Sequence, residues 1–308
     1  MDHRQRIIDH LTFLYDADVA GQMWPRIEAR LEQFAERMAG GQASDTGRLS
    51  QRDAILITYG DQIREPGRAP LASLAEFGAR YLEGTVSAIH LLPFYPYSSD
   101  DGFSVIDYRR VNDEMGDWED VERLGERFSL MFDAVINHIS RHSQWFQAYQ
   151  RGEEPYTEYF ITVDPGLDLS MVTRPRALPL LTEVETVQGK KHAWTTFSDD
   201  QIDLNYASPE VMYEIVDLLL FYAERGARLI RLDAIAYLWK EIGTNCIHRP
   251  QTHRAVKLFR DVFAAAAVLS GTPEVAMITE TNVPHEENIS YFGDPLPGGG
   301  TDEAQLVY

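Results

Sequence analysis

Cysteine is almost absent from this chain of 308 residues: the single Cys246 excludes an internal disulfide and fits a reducing compartment. Positive charge is also scarce. Lys and Arg number 28 against 48 Asp and Glu, for a formal net charge of −20, which argues against nucleic acid or an anionic membrane as a partner. Any anionic ligand must then be held by a local cluster of Arg or Lys. No apolar run approaches the length of a membrane span, and the opening MDHRQRIIDH is not a secretory signal, so the chain reads as a soluble cytoplasmic protein. Short-period repeats and low-complexity runs are missing. So is a glycine-rich phosphate loop, because the first strand-like run is followed by ITYGDQI with one glycine, Gly60.

What is present alternates between strand-like and helical patterns. Residues 1–50 read as a helical packing extension. Ile7, Leu11, Leu14 and Tyr15 share one face; Ile27, Leu31, Phe34 and Met38 share another after Pro25, and a turn-like linker follows from Gly40 to Ser50. From Asp53 the spacing predicts strands at Ala54–Thr58, Val86–Leu92, Leu130–Ile136, Ala227 onward and Val275–Thr279, with a sixth beginning at Ala304–Tyr308. Helices open at Pro70, Asp117, Pro209 and Pro250. The first strand is a continuous apolar run, as expected of a strand covered on both faces. Residues 139–200 break the rhythm, with no long periodic element, and form a loop-rich insertion after strand three. Such βα repeats imply a parallel sheet with helices outside, either doubly wound or closed. Without a phosphate loop, and with polar residues after several different strands, the expectation is a (β/α)8 TIM barrel over 53–308, truncated after about strand six.

The most informative stretch is ARLIRLDAIAYL, Ala227–Leu238. Alternation along a strand puts Arg231 and Asp233 on one face, with Ile230 and Leu232 on the other. The arginine is expected to keep the carboxylate ionised by lowering its pKa, as a nucleophile requires. Taken alone, the pair reads equally well as a structural ion pair at a strand end. Glu280 ends the next strand. Two carboxylates on adjacent strand ends suit glycoside chemistry, in which one attacks the anomeric carbon and the other, with a raised pKa, protonates the leaving oxygen. Phe94, Tyr95, Tyr97, Phe103, Trp194, Phe197 and Tyr237 offer aromatic faces for sugar rings.

DAVINH, RLDAIAYLWKEIGTNC and MITETN resemble, in order, the first three signature regions of glycoside hydrolase family thirteen, the α-amylase family. LLPFYPYSSDDGFSVIDY, RPRALPLLTEV and TTFSDDQIDLNY are similar to stretches of its sucrose phosphorylase and glucosylglycerate phosphorylase subfamily. The amino-terminal extension and ITETNVPHEENISYFGD look more like the glucosylglycerate branch. The resemblance implies that Asp233 is the nucleophile, Arg231 its orienting arginine and Glu280 the general acid/base. It implies that Asp100 and His138 hold the glucose, that Phe103, Phe197 and Tyr237 wall its pocket, and that Arg176, then Arg174, contacts phosphate. The implied activity is that of a retaining α-glucoside phosphorylase with a small α-glucoside and inorganic phosphate as co-substrates, and without a metal or organic cofactor. A hydrolase or transglucosidase of the same family, or an inactive fragment that only binds carbohydrate, is the alternative. The family's fourth region, with a third carboxylate after strand seven, has no counterpart here. The chain is therefore expected to be an amino-terminal fragment, inactive and poorly stable by itself.

Overall fold

The computed structural model describes residues 3–39 and 49–308. Most of the expected linker at 40–50 thus lies outside the described residues. Two helices lead the chain, α1 (His3–Leu14) and α2 (Ala17–Met38), the second capped by Asp16, whose side chain accepts from the Val19 amide at 2.8 Å. Helix α2 runs straight through Pro25 instead of restarting there. The carbonyl that Pro25 leaves without a donor belongs to Gly21, an exposed residue, so water can satisfy it.

The repeating units follow in chain order: β1 (Ile55–Thr58), α3 (Pro70–Tyr81), β2 (Ala88–Leu91), α4 (Trp118–Gly125) and β3 (Ser129–Ala134). The expected loop-rich insertion contains more order than its sequence suggested. It carries β4 (His138–Ser140), α5 (Gln144–Gln150), a hairpin of β5 (Leu181–Thr186) and β6 (Gly189–Trp194), and β7 (Gln201–Asp203), which pairs antiparallel with β4. The hairpin packs Val184 and Ala193 into the main core and Trp194, with Leu181, into a small second cluster, but charged residues interrupt both strands, so no apolar run announces it. Then come α6 (Pro209–Glu224), β8 (Ala227–Leu232), α7 (Pro250–Ser270), β9 (Ala276–Thr279), α8 (His285–Ile289) and β10 (Leu306–Val307).

Six strands form one sheet in the order β1-β2-β3-β8-β9-β10, every pair parallel. This is the strand order of a (β/α)8 barrel through its sixth strand. Register assigns the two faces. Ile89 lies between Leu56 and Leu130, and Phe132 between Leu91 and Ile230, all on the face that packs under the helices in the main core. Ile57, His90, Met131 and Leu229 lie on the inner face, where Met131, Leu229 and Ala276 form a small core with Ile278 and Leu306.

One expectation fails here. Strand β1 is not covered on both sides: Ile55 is 37% and Ile57 56% exposed, because β1 is an edge of the sheet and both side chains face inward at that edge. The amino-terminal helices share the barrel's core, α1 packing on α7 and α2 on α6 and α7. Ion pairs lock them there. Arg30 reaches Asp217 and Glu224, and buried Asp261 accepts from Arg6 at 2.9 Å and His10 at 2.8 Å. Among the described residues no helix is long and apolar enough to cross a membrane.

Candidate active site

The inner-face alternation that places His90 and Met131 continues to Asp133 and Arg231 near the carboxyl ends of β3 and β8, and just past the strand ends to Asp233 and Glu280. Backbone bonds tie these ends together: Asp233 N–H donates to the Ala134 carbonyl at 3.1 Å, and Glu280 N–H to the Leu232 carbonyl at 3.1 Å. Immediately after Asp233 the chain turns at Ala234, held in the left-handed region at φ 50°, and Ile235 N–H donates to the Glu280 carbonyl at 3.2 Å. A non-glycine residue there costs about 1–3 kcal/mol and persists only where the surroundings impose it. The Ala234 amide also donates to Glu280 Oε2 at 2.9 Å. The turn after one carboxylate thereby positions the other.

Arg231 is the hub. Its Nη1 donates to Asp233 Oδ1 at 2.9 Å and to Asp133 Oδ1, and its Nη2 lies 3.7 Å from Glu280 Oε2. Asp133, fully buried, takes a second contact from His90 Nε2 at 2.8 Å. Glu280 Oε1 accepts from the side-chain amide of Asn282. Among the described residues Asp233 Oδ2 accepts no hydrogen bond, so one oxygen is held and the other is available.

Three carboxylates around one guanidinium decide the electrostatics. Burial opposes the charge on Arg231, but Asp133 and Asp233 outweigh it and raise its pKa, so it stays protonated. Asp233 departs from expectation. Its pKa is pushed up from 3.8 to about 7, first by burial, with Asp133 and Glu280 adding to it; Arg231 opposes the shift without overcoming it. The sequence suggested that the arginine would set the sign, but desolvation and a third carboxylate reverse it.

A stability prediction follows from that shift. With a folded-state pKa above its unfolded value, Asp233 contributes stability that is fully present below pH about 4 and is lost as pH rises through about 7. At about 1.4 kcal/mol per pKa unit, the loss is on the order of 4 kcal/mol. Asp233→Asn is therefore expected to melt above the parent protein at pH 8, with the gap closing toward pH 4. Thermal melts across that range check this; a gap independent of pH would contradict it.

A second layer surrounds this centre. His138 is buried, and its Nε2 lies 2.9 Å from the Phe103 carbonyl, a contact that requires Nε2–H. Its Nδ1 then accepts from the Asn137 side-chain amide at 3.3 Å. Burial lowers the pKa of His138 against the pull of Asp203, so the ring is neutral in this tautomer. Phe197 stands 5.3 Å from the His138 ring and 5.5 Å edge-on from Tyr237, while Arg231 lies over the Phe103 ring at 5.6 Å. Asp100 accepts from Gln201 Nε2 at 3.0 Å and from Arg176 at 3.2 Å, and Arg176 lies over Phe197 at 5.8 Å. Asp100, Phe103, His138, Phe197, Tyr237 and Arg176 are thus linked into one wall beside Arg231, Asp233 and Glu280. Arg174 is not brought in: it is exposed, and among the described residues it makes no hydrogen bond or ion pair with the wall.

Asp133 is legible in the sequence as a polar residue at a strand end and His90 as a hydrogen-bonding residue, but their pairing with each other beneath Arg231 is not. Other members were missed. Gln201 bridges Asp100 to the Phe103 carbonyl at 3.1 Å. Lys240, buried, donates to Asn137 Oδ1 at 2.9 Å and pairs with Asp203 at 2.6 Å, behind His138. Burial lowers the Lys240 pKa while Asp203 opposes it. The available signals were the polar pair in QIDLNY and a lysine closing an apolar run. Among the described residues no group of three or more His, Cys, Asp or Glu side chains is placed to hold a metal ion.

A parallel barrel sheet with paired carboxylates and an arginine at its carboxyl rim defines the class. Residues 80–305 match the α-amylase catalytic-domain family, and the chain belongs to that family. It is 52% identical over its whole length to a glucosylglycerate phosphorylase of Spirochaeta thermophila, covering 51% of that protein. It is 46% identical over 99% of its length to the glucosylglycerate phosphorylase of Escherichia coli, covering 52% of it. The crystal structure of a sucrose 6F-phosphate phosphorylase from Thermoanaerobacter thermosaccharolyticum superposes with a TM-score of 0.70 at 25% identity, over 87% of this chain and 54% of that one. The chain spans about half the length of the curated relatives it matches.

Proposed function

We propose that this protein is a retaining α-glucoside phosphorylase acting on glucosylglycerate. The observation that carries the reading is the gathering of Asp233 and Glu280 around Arg231 at adjacent strand ends. The glucosylglycerate phosphorylases that match along nearly the whole chain support the choice of substrate. In this mechanism Asp233, ionised and held through Oδ1, attacks C1 of the α-glucoside with Oδ2, while Glu280 protonates the departing glycerate oxygen. A β-glucosyl-enzyme results. Phosphate then attacks C1, Glu280 takes up its proton, and α-glucose 1-phosphate leaves with retained configuration. Asp100 and His138 bind hydroxyls of the glucose. His138 exchanges its Phe103 carbonyl for a sugar oxygen, and Phe103, Phe197 and Tyr237 supply apolar faces. Arg176 leaves Asp100 to bind phosphate, a transfer suited to a planar guanidinium in an acidic protein; Arg174 is the second candidate. No metal or organic cofactor takes part.

The test is incubation of the full-length protein with glucosylglycerate, with and without inorganic phosphate. Glucose 1-phosphate formed only with phosphate is the expected result, and Arg176→Ala is expected to raise the KM for phosphate about tenfold. Free glucose released at the same rate without phosphate would make the protein a hydrolase instead.

A further inference from the structure

Asp100 stands on a backbone that few sequences tolerate. Asp100, Asp101 and Gly102 all occupy the left-handed region, at φ 55°, 51° and 105°. A Cβ on Gly102 would meet the Pro93 carbonyl oxygen at 2.8 Å, so this turn is pressed against the chain that precedes it. Two consecutive aspartates in this conformation do not hold themselves there. The stems of the turn meet at a Tyr97–Val105 bridge and at a Ser98 amide donating to the Ser104 carbonyl at 3.0 Å. One half-buried carboxylate then gathers both stems. Asp200 Oδ2 lies 2.6 Å from Ser98 Oγ, 2.8 Å from Ser104 Oγ and within hydrogen-bond reach of Ser99 Oγ, and Oδ1 lies 3.2 Å from Ser140 Oγ on β4.

Asp200 makes no ion pair with Lys, Arg or His among the described residues, although Arg176 is close enough to reach Asp100. Burial pushes the Asp200 carboxyl up, but the serine hydroxyls outweigh it and hold it below its usual range, so it is ionised. A carboxylate can accept from hydroxyls on both oxygens, whereas an asparagine in its place turns an amide donor toward them. The next residue, Gln201, bonds Asp100 itself.

We propose that Asp200 is a positioning residue for glucoside binding: it clamps the serines on both stems of the Asp100–Gly102 turn and so presents Asp100 to the sugar. The inference rests on the proposed binding of glucose by Asp100. A residue that acts through another loses its effect once that other is removed, whereas a residue needed only for folding does not.

The experiment is a double-mutant cycle of Asp200→Asn and Asp100→Asn in the full-length protein, read as glucosylglycerate consumption with and without phosphate. Asp200→Asn alone is expected to raise the KM for glucoside about tenfold with kcat within about threefold. In the Asp100→Asn background the same change is expected to alter kcat/KM by less than about twofold. Equal losses in both backgrounds, or a fall in kcat with KM unmoved, would overturn the assignment. Should Asp200→Asn fail to fold, Ser104→Ala removes one donor from Oδ2 and enters the same cycle, with about a threefold rise in KM expected and the same additivity overturning it. Loss of phosphate dependence would count against the phosphorylase reading alone, because coupling between Asp200 and Asp100 is scored on sugar consumption whichever acceptor is used.

Discussion

Asp233→Asn is expected to lower kcat for glucosylglycerate phosphorolysis by about four orders of magnitude or more while leaving the glucoside able to bind. Asparagine keeps the shape and can still accept from Arg231 Nη1, whose contact to Asp233 Oδ1 is 2.9 Å. It cannot form the glucosyl ester, so the first displacement loses its nucleophile while the surrounding wall stays in place. The environment sharpens the expectation. A carboxyl pushed up to about 7 is only partly ionised near neutral pH in the empty site, so the rate of glucosyl-enzyme formation is expected to rise with pH toward about 7. That rising limb should disappear in Asp233→Asn together with the activity. Pre-steady-state measurement of glucosyl-enzyme formation checks both. Retention of more than about one per cent of kcat would remove Asp233 from the role of nucleophile.

The second large effect concerns Glu280. Glu280→Gln is expected to lower kcat about a hundredfold to ten-thousandfold with glucosylglycerate, whose leaving alcohol needs a proton. With an α-glucosyl donor whose leaving group departs without protonation, such as the fluoride, the first step should regain most of its rate. A general acid is dispensable when nothing has to be protonated. The geometry favours clean behaviour, since glutamine can still accept the Ala234 amide through its one carbonyl oxygen and so preserve the turn that follows Asp233. A loss of equal size with both donors would mean that Glu280 acts through structure and not through proton transfer.

How far the sequence could be read depended on the range over which each interaction acts. Arg231 and Asp233 are two residues apart on one strand, so alternation alone placed both side chains on one face. Glu280 followed because the adjacent strand obeys the same alternation and ends in a recognisable motif. The hairpin β5–β6 escaped notice because charged residues interrupt its buried ones and leave no apolar run, and Pro25 misled because its cost depends on whether the orphaned carbonyl meets water. The pairing of Asp133 with His90, and that of Asp203 with Lys240, were out of reach for a different reason. Each pair brings together residues far apart in the chain, and polar types of that kind are far more often surface groups.

From sequence alone came the order of βα units, the parallel barrel, the family, and the residues that could act as nucleophile, acid and orienting arginine, all properties of local periodicity and short motifs. Tertiary structure alone decided the sign of the Asp233 pKa shift, the pairing of Arg176 with Asp100, and the clamp of serines around Asp200. Each of these is a balance of desolvation and charge among side chains that only folding brings within a few ångströms of one another, and no pattern along the chain encodes their distances.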